Sequence, residues 1–215
     1  PCFISVANIE SKDPALIKQG NERVIQPRLS DAAFFWDRDR KHGLANHISG
    51  LTKVVYQKEL GTLHEKSERL GKIMSALANS VDFDTQLGKR ASELCFCDLL
   101  TDMVYEFPEL QGIMGKYYAE ADKEDANVSI ALEEFYQPRF AGDDLPTTAL
   151  GQCLAISEKI DTLVGIFSIG KPPTGDKDPF GLRRSAIGLL RIIIECELDI
   201  DLKTLLDATI DNFPE

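Results

Sequence analysis

Three residues of types that bind divalent metals occur at wide intervals, each on a different predicted helix. His64 offers an imidazole, and Asp102 and Asp161 offer carboxylates. A metal ion held by such ligands lowers the pKa of a bound water molecule and so prepares it for hydrolysis. The first chemistry to consider for this chain is therefore metal-assisted hydrolysis.

The order of these residues resembles that of the HD-type metal-dependent phosphohydrolases, a helical superfamily. Those enzymes use a histidine, then a His-Asp pair and then a later aspartate, whereas the pair here is Thr101-Asp102. A hydroxyl is a poor replacement for an imidazole ligand to a transition metal. We therefore interpret His64, Thr101, Asp102 and Asp161 as a degenerate motif without metal or catalysis. An active phosphohydrolase is the alternative.

Composition and the remaining motifs narrow the possible classes. The chain contains no P-loop, no GxGxxG, no GxSxG and no zinc-ligand spacing. Its five cysteines are scattered, which favours a reducing cytoplasm over a disulfide-linked secreted protein. No apolar stretch approaches the roughly 20 residues that cross a bilayer, so no membrane partner is expected. Because the sequence begins at Pro1, we expect an internal fragment of a longer protein.

Apolar periodicity and capping residues predict a mainly α fold, a helical bundle with a short N-terminal β remnant. Residues 1–50 are predicted to be a segment left from an upstream domain, and residues 51–215 an all-helical, HD-like domain. The predicted elements are a strand at Cys2–Asn8; a helix from Asp13-Pro14 to Gly20-Asn21; a helical segment at Leu29–Phe35; and helices around 63–77, Leu94–Val104, 127–137, Ala149–Ile166, Pro179–Glu195 and Leu202–Ile210.

The charge distribution suggests where a nucleic acid would bind. The net charge is −11, but residues 21–72 carry ten Lys and Arg against seven Asp and Glu, and residues 171–191 carry five against two. Residues 73–170 carry six against seventeen. Two basic segments on one face would attract a phosphate backbone, although ordinary surface charge remains the alternative. The candidate tRNA-binding residues are Arg38, Arg40, Lys41, Lys177, Arg183, Arg184 and Arg191.

Several long strings resemble the beta subunits of the bacterial two-subunit glycyl-tRNA synthetases. They span residues 20–41, 58–70, 101–119, 136–148 and 161–195, and the resemblance as a whole extends over nearly the entire chain. The resemblance implies an α2β2 ligase that uses ATP to join glycine to tRNA(Gly), with the reaction site in the alpha subunit. It also implies a degenerate HD-like domain in the beta subunit. The expected role of this chain is tRNA binding and assembly with the alpha subunit, without a cofactor of its own. A pure scaffold for the alpha subunit is a further hypothesis.

Overall fold

The computed structural model describes residues 2–213, and in this range the fold consists of α-helices and one small hairpin. The hairpin joins strands β1 (Val55–Gln57) and β2 (Gly61–Thr62) in antiparallel fashion. The prediction of a mainly α fold with a small β element is confirmed. The elements are α1 Pro14–His42, β1 Val55–Gln57, β2 Gly61–Thr62, α2 Leu63–Leu77, α3 Thr85–Leu94, α4 Asp102–Glu106, α5 Ile113–Ala121, α6 Ala126–Glu134, α7 Ala149–Ser168, α8 Leu182–Glu195 and α9 Leu202–Ile210, with 3₁₀ segments at Leu44–Lys53, Cys97–Leu100 and Pro108–Leu110.

Polar side chains at the first positions explain where most of these helices begin. Thr62 and Glu65 form a capping box at the start of α2, in which each side chain bonds the other residue's backbone N–H. Thr148 caps α7 and Asp201 caps α9 in the simpler way, by accepting a backbone N–H of the first turn. Such caps satisfy N–H groups that have no partner inside the helix. The predicted helices at α2, α7 and α9 are confirmed.

Helix α7 lies at the centre of the bundle. It packs against α2, α3, α6, α8 and α9. Leu154, Ala155, Ile156 and Ile160 are fully buried, so apolar side chains leave this helix in several directions. A helix that is apolar around most of its circumference belongs in a protein interior. The position of α7 therefore fixes that of its neighbours.

The N-terminal region differs from its prediction in two respects. The predicted strand at Cys2–Asn8 is wrong, because these residues form no strand, and the small sheet lies at residues 55–62. Asp13 and Pro14 do begin a helix, but α1 continues for 29 residues through Gly20 and Pro27. A glycine weakens a helix and a proline removes one of its hydrogen bonds, yet here neither ends it.

Two other helices begin or end at different residues from those predicted. The helix expected across Leu94–Val104 is not continuous: α3 ends at Leu94, a 3₁₀ segment follows at Cys97–Leu100, and Thr101, with an extended backbone, caps α4. Helix α8 begins at Leu182 rather than at Pro179. The Asp178 carboxylate still accepts the backbone N–H groups of Leu182 and Arg183, so it caps α8 from a greater distance in sequence. The helix at Ile113–Ala121 was missed.

A buried carboxylate joins the C-terminal end of α1 to the bundle. Asp39 accepts the backbone N–H groups of Asp102 and Met103 at 3.1 and 3.0 Å, and the Tyr118 hydroxyl at 2.8 Å. It therefore caps α4 from another element, as a buried charge with several donors. The division of the chain near residue 50 stays a prediction, and Asp39 makes contacts across it.

We expect Asp39→Ala to lower the free energy of unfolding by about 2–4 kcal/mol, because it leaves buried donors without an acceptor. Urea denaturation monitored by circular dichroism measures the change. Asp37→Ala, an exposed neighbour on the same helix, is the control and should change it by less than about 0.5 kcal/mol. Equal effects of the two substitutions would contradict a special role for Asp39.

Candidate nucleic-acid interface

The four residues of the degenerate metal motif lie in separate environments. His64 is half-buried in the first turn of α2, with Nδ1 3.8 Å from a carboxylate oxygen of Glu68. Thr101 is buried and caps α4, where its hydroxyl oxygen accepts the N–H of Val104. The Asp102 carboxylate lies 2.7 Å from the Arg38 guanidinium. Each of these three side chains thus has a structural partner close by.

Asp161 is fully buried on α7 and binds two cations of the protein itself. The Lys66 ammonium lies 3.0 Å from one carboxylate oxygen, and Nε of Arg69 lies 2.6 Å from the other. Burial alone lowers the pKa of Lys66, but the carboxylates of Asp161 and Glu158 outweigh it and raise that pKa above its ordinary value. Lys66 is therefore charged at neutral pH. Both oxygens of Asp161 are committed to α2.

These contacts give the HD-like motif a structural use. Among residues 2–213, no group of three or more His, Cys, Asp and Glu side chains is placed to hold a metal ion. A divalent cation at Asp161 would have to displace the Lys66 ammonium and the Arg69 guanidinium. In the structure, Asp161 links α7 to α2. The absence of catalysis by this motif stays a prediction.

The first set of basic candidates lies at the C-terminal end of α1. Arg38 pairs with Asp102, and the guanidinium of Arg40 lies 5.2 Å from the centre of the Trp36 ring. Trp36 in turn stacks on Tyr118 at a centroid distance of 5.2 Å. Lys41 is exposed in the last turn of the helix. Two of the three predicted residues thus already contact other side chains.

The second basic set divides into two groups. Arg184 and Arg191, two turns apart on α8, line one groove on the surface. Arg183 instead donates to the backbone carbonyl of Gly175, in the loop before α8. Lys177 is exposed in that same loop. The predicted stripe on α8 therefore exists, with Arg184 and Arg191 as its basic members.

Helix α8 forms one wall of this groove, and the loop between α6 and α7 forms the other. We call it the basic groove, and its lining residues are Pro138, Arg139, Phe140, Ala141, Arg184, Ile187, Gly188 and Arg191. Arg139 and Phe140 of that loop line the groove together with Arg184 and Arg191. Arg139 donates to the backbone carbonyl of Gln111 at 2.8 Å. Arg191 donates to both oxygens of Glu195, at 2.8 and 3.3 Å, and reaches the backbone carbonyl of Asp143. These bonds hold the guanidinium groups in place at the edge of the groove.

Exposed aromatic rings accompany the positive charges. Phe140 is 63% exposed and Phe180, just before α8, is 40% exposed. Cationic side chains bind phosphates, and exposed rings offer surfaces on which unpaired bases stack. Arg139, Phe140 and Phe180 were missed at the sequence level. The pairing of a basic residue with an aromatic one at 139–140 was the available signal, but about 45 residues separate it from Arg184.

Comparison with known proteins decides the family. The family model described as glycyl-tRNA synthetase beta subunit matches residues 1–215. The chain belongs to the glycyl-tRNA synthetase beta subunit family. The resemblance that the long sequence strings indicated is thereby confirmed.

Curated relatives in this family are longer than the chain. It is 56% identical over 202 residues to the glycine–tRNA ligase beta subunit of Hahella chejuensis, covering 94% of this chain and 29% of that protein. It is 55% identical over 207 residues to the one from Chromohalobacter salexigens, covering 96% and 30%. The corresponding subunit of Coxiella burnetii is 52% identical over 213 residues, covering 99% and 31%. The chain thus spans about three tenths of the length of these relatives.

In the part of the chain that the structure describes, none of the helices combines the length and the apolar character that a bilayer crossing needs.

We expect Asp161→Ala to destabilise the fold by about 3–5 kcal/mol, because it leaves the buried Arg69 guanidinium without a carboxylate and Lys66 with only the Glu158 carboxylate at 3.6 Å. Equilibrium unfolding in urea measures this loss. Glu68→Ala removes the exposed partner of His64 and serves as the control, with an expected change below about 0.5 kcal/mol.

A metal titration distinguishes an ion-pair role of Asp161 from a role as a metal ligand. If Asp161 were a metal ligand, Mn²⁺ would raise the unfolding midpoint of the wild type and not that of Asp161→Ala. We expect Mn²⁺ to leave the two midpoints equally unaffected.

Proposed function

We propose that this chain is a tRNA-binding and assembly part of a glycine–tRNA ligase, without catalytic activity of its own. In this proposal it works within an α2β2 assembly in the cytoplasm. The alpha subunit uses ATP to attach glycine to tRNA(Gly), and this chain holds no cofactor. Family membership over residues 1–215 supports the proposal.

The basic groove is the observation that carries the tRNA-binding role. Arg139, Arg184 and Arg191 line one depression in a protein whose net charge is −11, and Arg191 is paired there with Glu195. A guanidinium presents a planar set of donors that suits phosphate oxygens. The adjacent rings of Phe140 and Phe180 suit RNA whose bases are unpaired, such as a single-stranded end or a loop.

The surrounding charge favours this groove over other surfaces. Residues 192–213 contain six Asp and Glu against one Lys, and residues 73–170 are also strongly acidic. A polyanion is repelled by such regions, so its encounter is directed to the positive patch. The acidic net charge of the chain is therefore compatible with RNA binding at one place.

An apolar cleft gives the scaffold hypothesis its own supporting observation. The cleft lies between α7 and α9 and has a volume of about 730 Å³. Phe167 and Ile210 on its walls are each more than half exposed. Exposed apolar surface of this kind is typical of contacts with other proteins. Assembly with the alpha subunit through this cleft is compatible with tRNA binding elsewhere, whereas the comparisons offer no support for a phosphohydrolase.

The proposal is tested by reversing the charges of the groove. We expect Arg184→Glu/Arg191→Glu to weaken binding of tRNA(Gly) at least about tenfold at low salt, because two phosphate contacts become repulsive. The slope of log K against log salt should become shallower by about 2. Fluorescence anisotropy over a salt series measures both quantities, and circular dichroism confirms that the variant folds.

The matched control is Lys171→Glu/Lys203→Glu, which makes the same change in net charge. These exposed lysines lie outside the groove and pair with Glu59 and Asp207. The control should lose much less affinity and keep the salt slope. Equal losses in both variants would show a nonspecific charge effect, and an absence of binding by the wild type at low salt would favour the scaffold.

A further inference from the structure

The strongest feature without an assigned role is a buried lysine that lacks an acidic partner. Lys159 on α7 is only 4% exposed. Its ammonium donates to the backbone carbonyl of Gln137 at 2.8 Å. Among the ion pairs of residues 2–213 it has no carboxylate within 4 Å, whereas the equally buried Lys66 has two. Lys159 is thus a buried cation whose charge the described protein does not balance by contact.

This arrangement is costly unless an anion completes it. Removing a charge from water without a counter-charge is strongly unfavourable. Burial accordingly lowers the pKa of Lys159, with Lys66 acting in the same direction and Glu158 in the opposite one. The Glu158 carboxylate accepts a hydrogen bond from Thr162 and lies 3.6 Å from the Lys66 ammonium, so it is already engaged.

Lys159 lines a cavity into which further positive charge converges. The cavity has a volume of about 300 Å³ and adjoins the basic groove. Arg139 and Arg184 line it as well, and the rings of Tyr136 and Phe180 form apolar parts of its wall. Glu158 is its acidic lining residue. Arg184 forms no ion pair within residues 2–213, so a second cation at this cavity is available to a ligand.

The absence of a side chain at Gly188 of α8 leaves room for the Lys159 side chain of α7. A Cβ atom at Gly188 of α8 would lie 2.9 Å from Cε of Lys159 and 3.4 Å from Cγ of Pro138. Glycine at this position therefore lets the aliphatic part of Lys159 pass between α7, α8 and the loop. Any larger residue would force the end of the lysine side chain to move. Gly188 thus offers a second way to disturb the ammonium without removing it.

We propose that this cavity binds a phosphate group, with Lys159, Arg139 and Arg184 supplying the positive charge. Phosphate oxygens accept hydrogen bonds from ammonium and guanidinium groups alike. The backbone N–H groups of Leu182 and Arg183 at the start of α8 are already taken by Asp178, so side chains provide the donors. The cavity adjoins the basic groove, and the assignment of its phosphate to bound tRNA rests on the function proposed above.

The first experiment uses inorganic phosphate and the 215-residue chain. We expect phosphate to raise the midpoint of thermal unfolding of the wild type with saturation, and to have a much smaller, non-saturating effect on Lys159→Met. The variant retains an aliphatic side chain and removes the charge. Phosphate also stabilises proteins generally by exclusion from their surface, so the difference between the two proteins is the readout.

The stability of Lys159→Met without phosphate and a control lysine complete this experiment. In buffer without phosphate, Lys159→Met should be at least as stable as the wild type, because an unbalanced buried charge has been removed. Lys171→Met, an exposed lysine paired with Glu59, is the control and should respond to phosphate as the wild type does. Equal, non-saturating responses of wild type and Lys159→Met would overturn the proposal.

The second experiment assigns the phosphate to RNA. Lys159→Met should weaken tRNA(Gly) binding by about 3–10-fold and make the salt slope shallower by about 1, as expected for one phosphate contact. Gly188→Ala, which displaces the ammonium, should weaken it in the same direction.

The outcomes distinguish this inference from the proposed function. If Arg184→Glu/Arg191→Glu loses tRNA affinity while Lys159→Met and Gly188→Ala do not, the groove stands and the assignment of the phosphate to tRNA is overturned. If phosphate saturates the cavity but the wild type binds no tRNA, the anion site is supported and the proposed tRNA function is overturned.

Discussion

The buried ion pairs of Asp161 with Lys66 and Arg69 are the constraint on which the arrangement of the bundle depends. They join the central helix α7 to α2 at a place where none of the three side chains reaches water freely. Such pairs add little stability compared with apolar packing, but breaking one leaves a buried charge and is severely destabilising. The register of α7 against α2 is thereby fixed. Since α7 also packs against α8, the same constraint positions one wall of the basic groove.

Two lysines with similar burial have different surroundings, and the difference connects structure with function. Lys66 is neutralised by carboxylates of α7, so its charge is used in holding the fold together. Lys159 leaves α7 toward the loop before it and toward α8, where it meets a cavity lined by arginines. The first lysine binds Asp161, the residue that sequence analysis compared with the later aspartate of HD-type enzymes. The second leaves positive charge for a ligand. This combination supports the proposal that the domain binds a polyanion and does not hydrolyse a substrate.

Local sequence signals predicted part of this structure because some helices carry both a cap and a clear apolar period. Helices α2, α7 and α9 have these signals and lie where they were expected. Helix α1 was predicted in pieces because Gly20 and Pro27 are helix-breaking residues by local propensity, which does not determine the outcome alone. Partial alternation and residue propensity favour a strand at residues 2–8, but a strand forms only where it finds a partner to pair with.

The residues of the basic groove could be predicted from sequence where they share one helix, and could not where they come from separate elements. The spacing of Arg184 and Arg191 places them two turns apart on α8, which sequence reasoning recovers. Their partner Arg139 comes from a distant loop that only the fold brings to α8. One sequence signal for the ion pairs of Asp161 was missed. Lys66 and Arg69 lie on the inward-facing side of α2, beside the apolar residues Leu63, Leu70 and Ile73. Charged residues at buried positions need partners, and a buried aspartate is the obvious one.

Hydrogen–deuterium exchange with and without tRNA(Gly) maps the bound surface without altering a residue. If tRNA binds at the basic groove, backbone amides at residues 136–142 and 180–191 should exchange more slowly on binding, and exchange at residues 63–75 around His64 should be unchanged. Protection centred on residues 63–75, or binding without protection at the groove, would contradict the assignment of the basic groove as the RNA-binding surface.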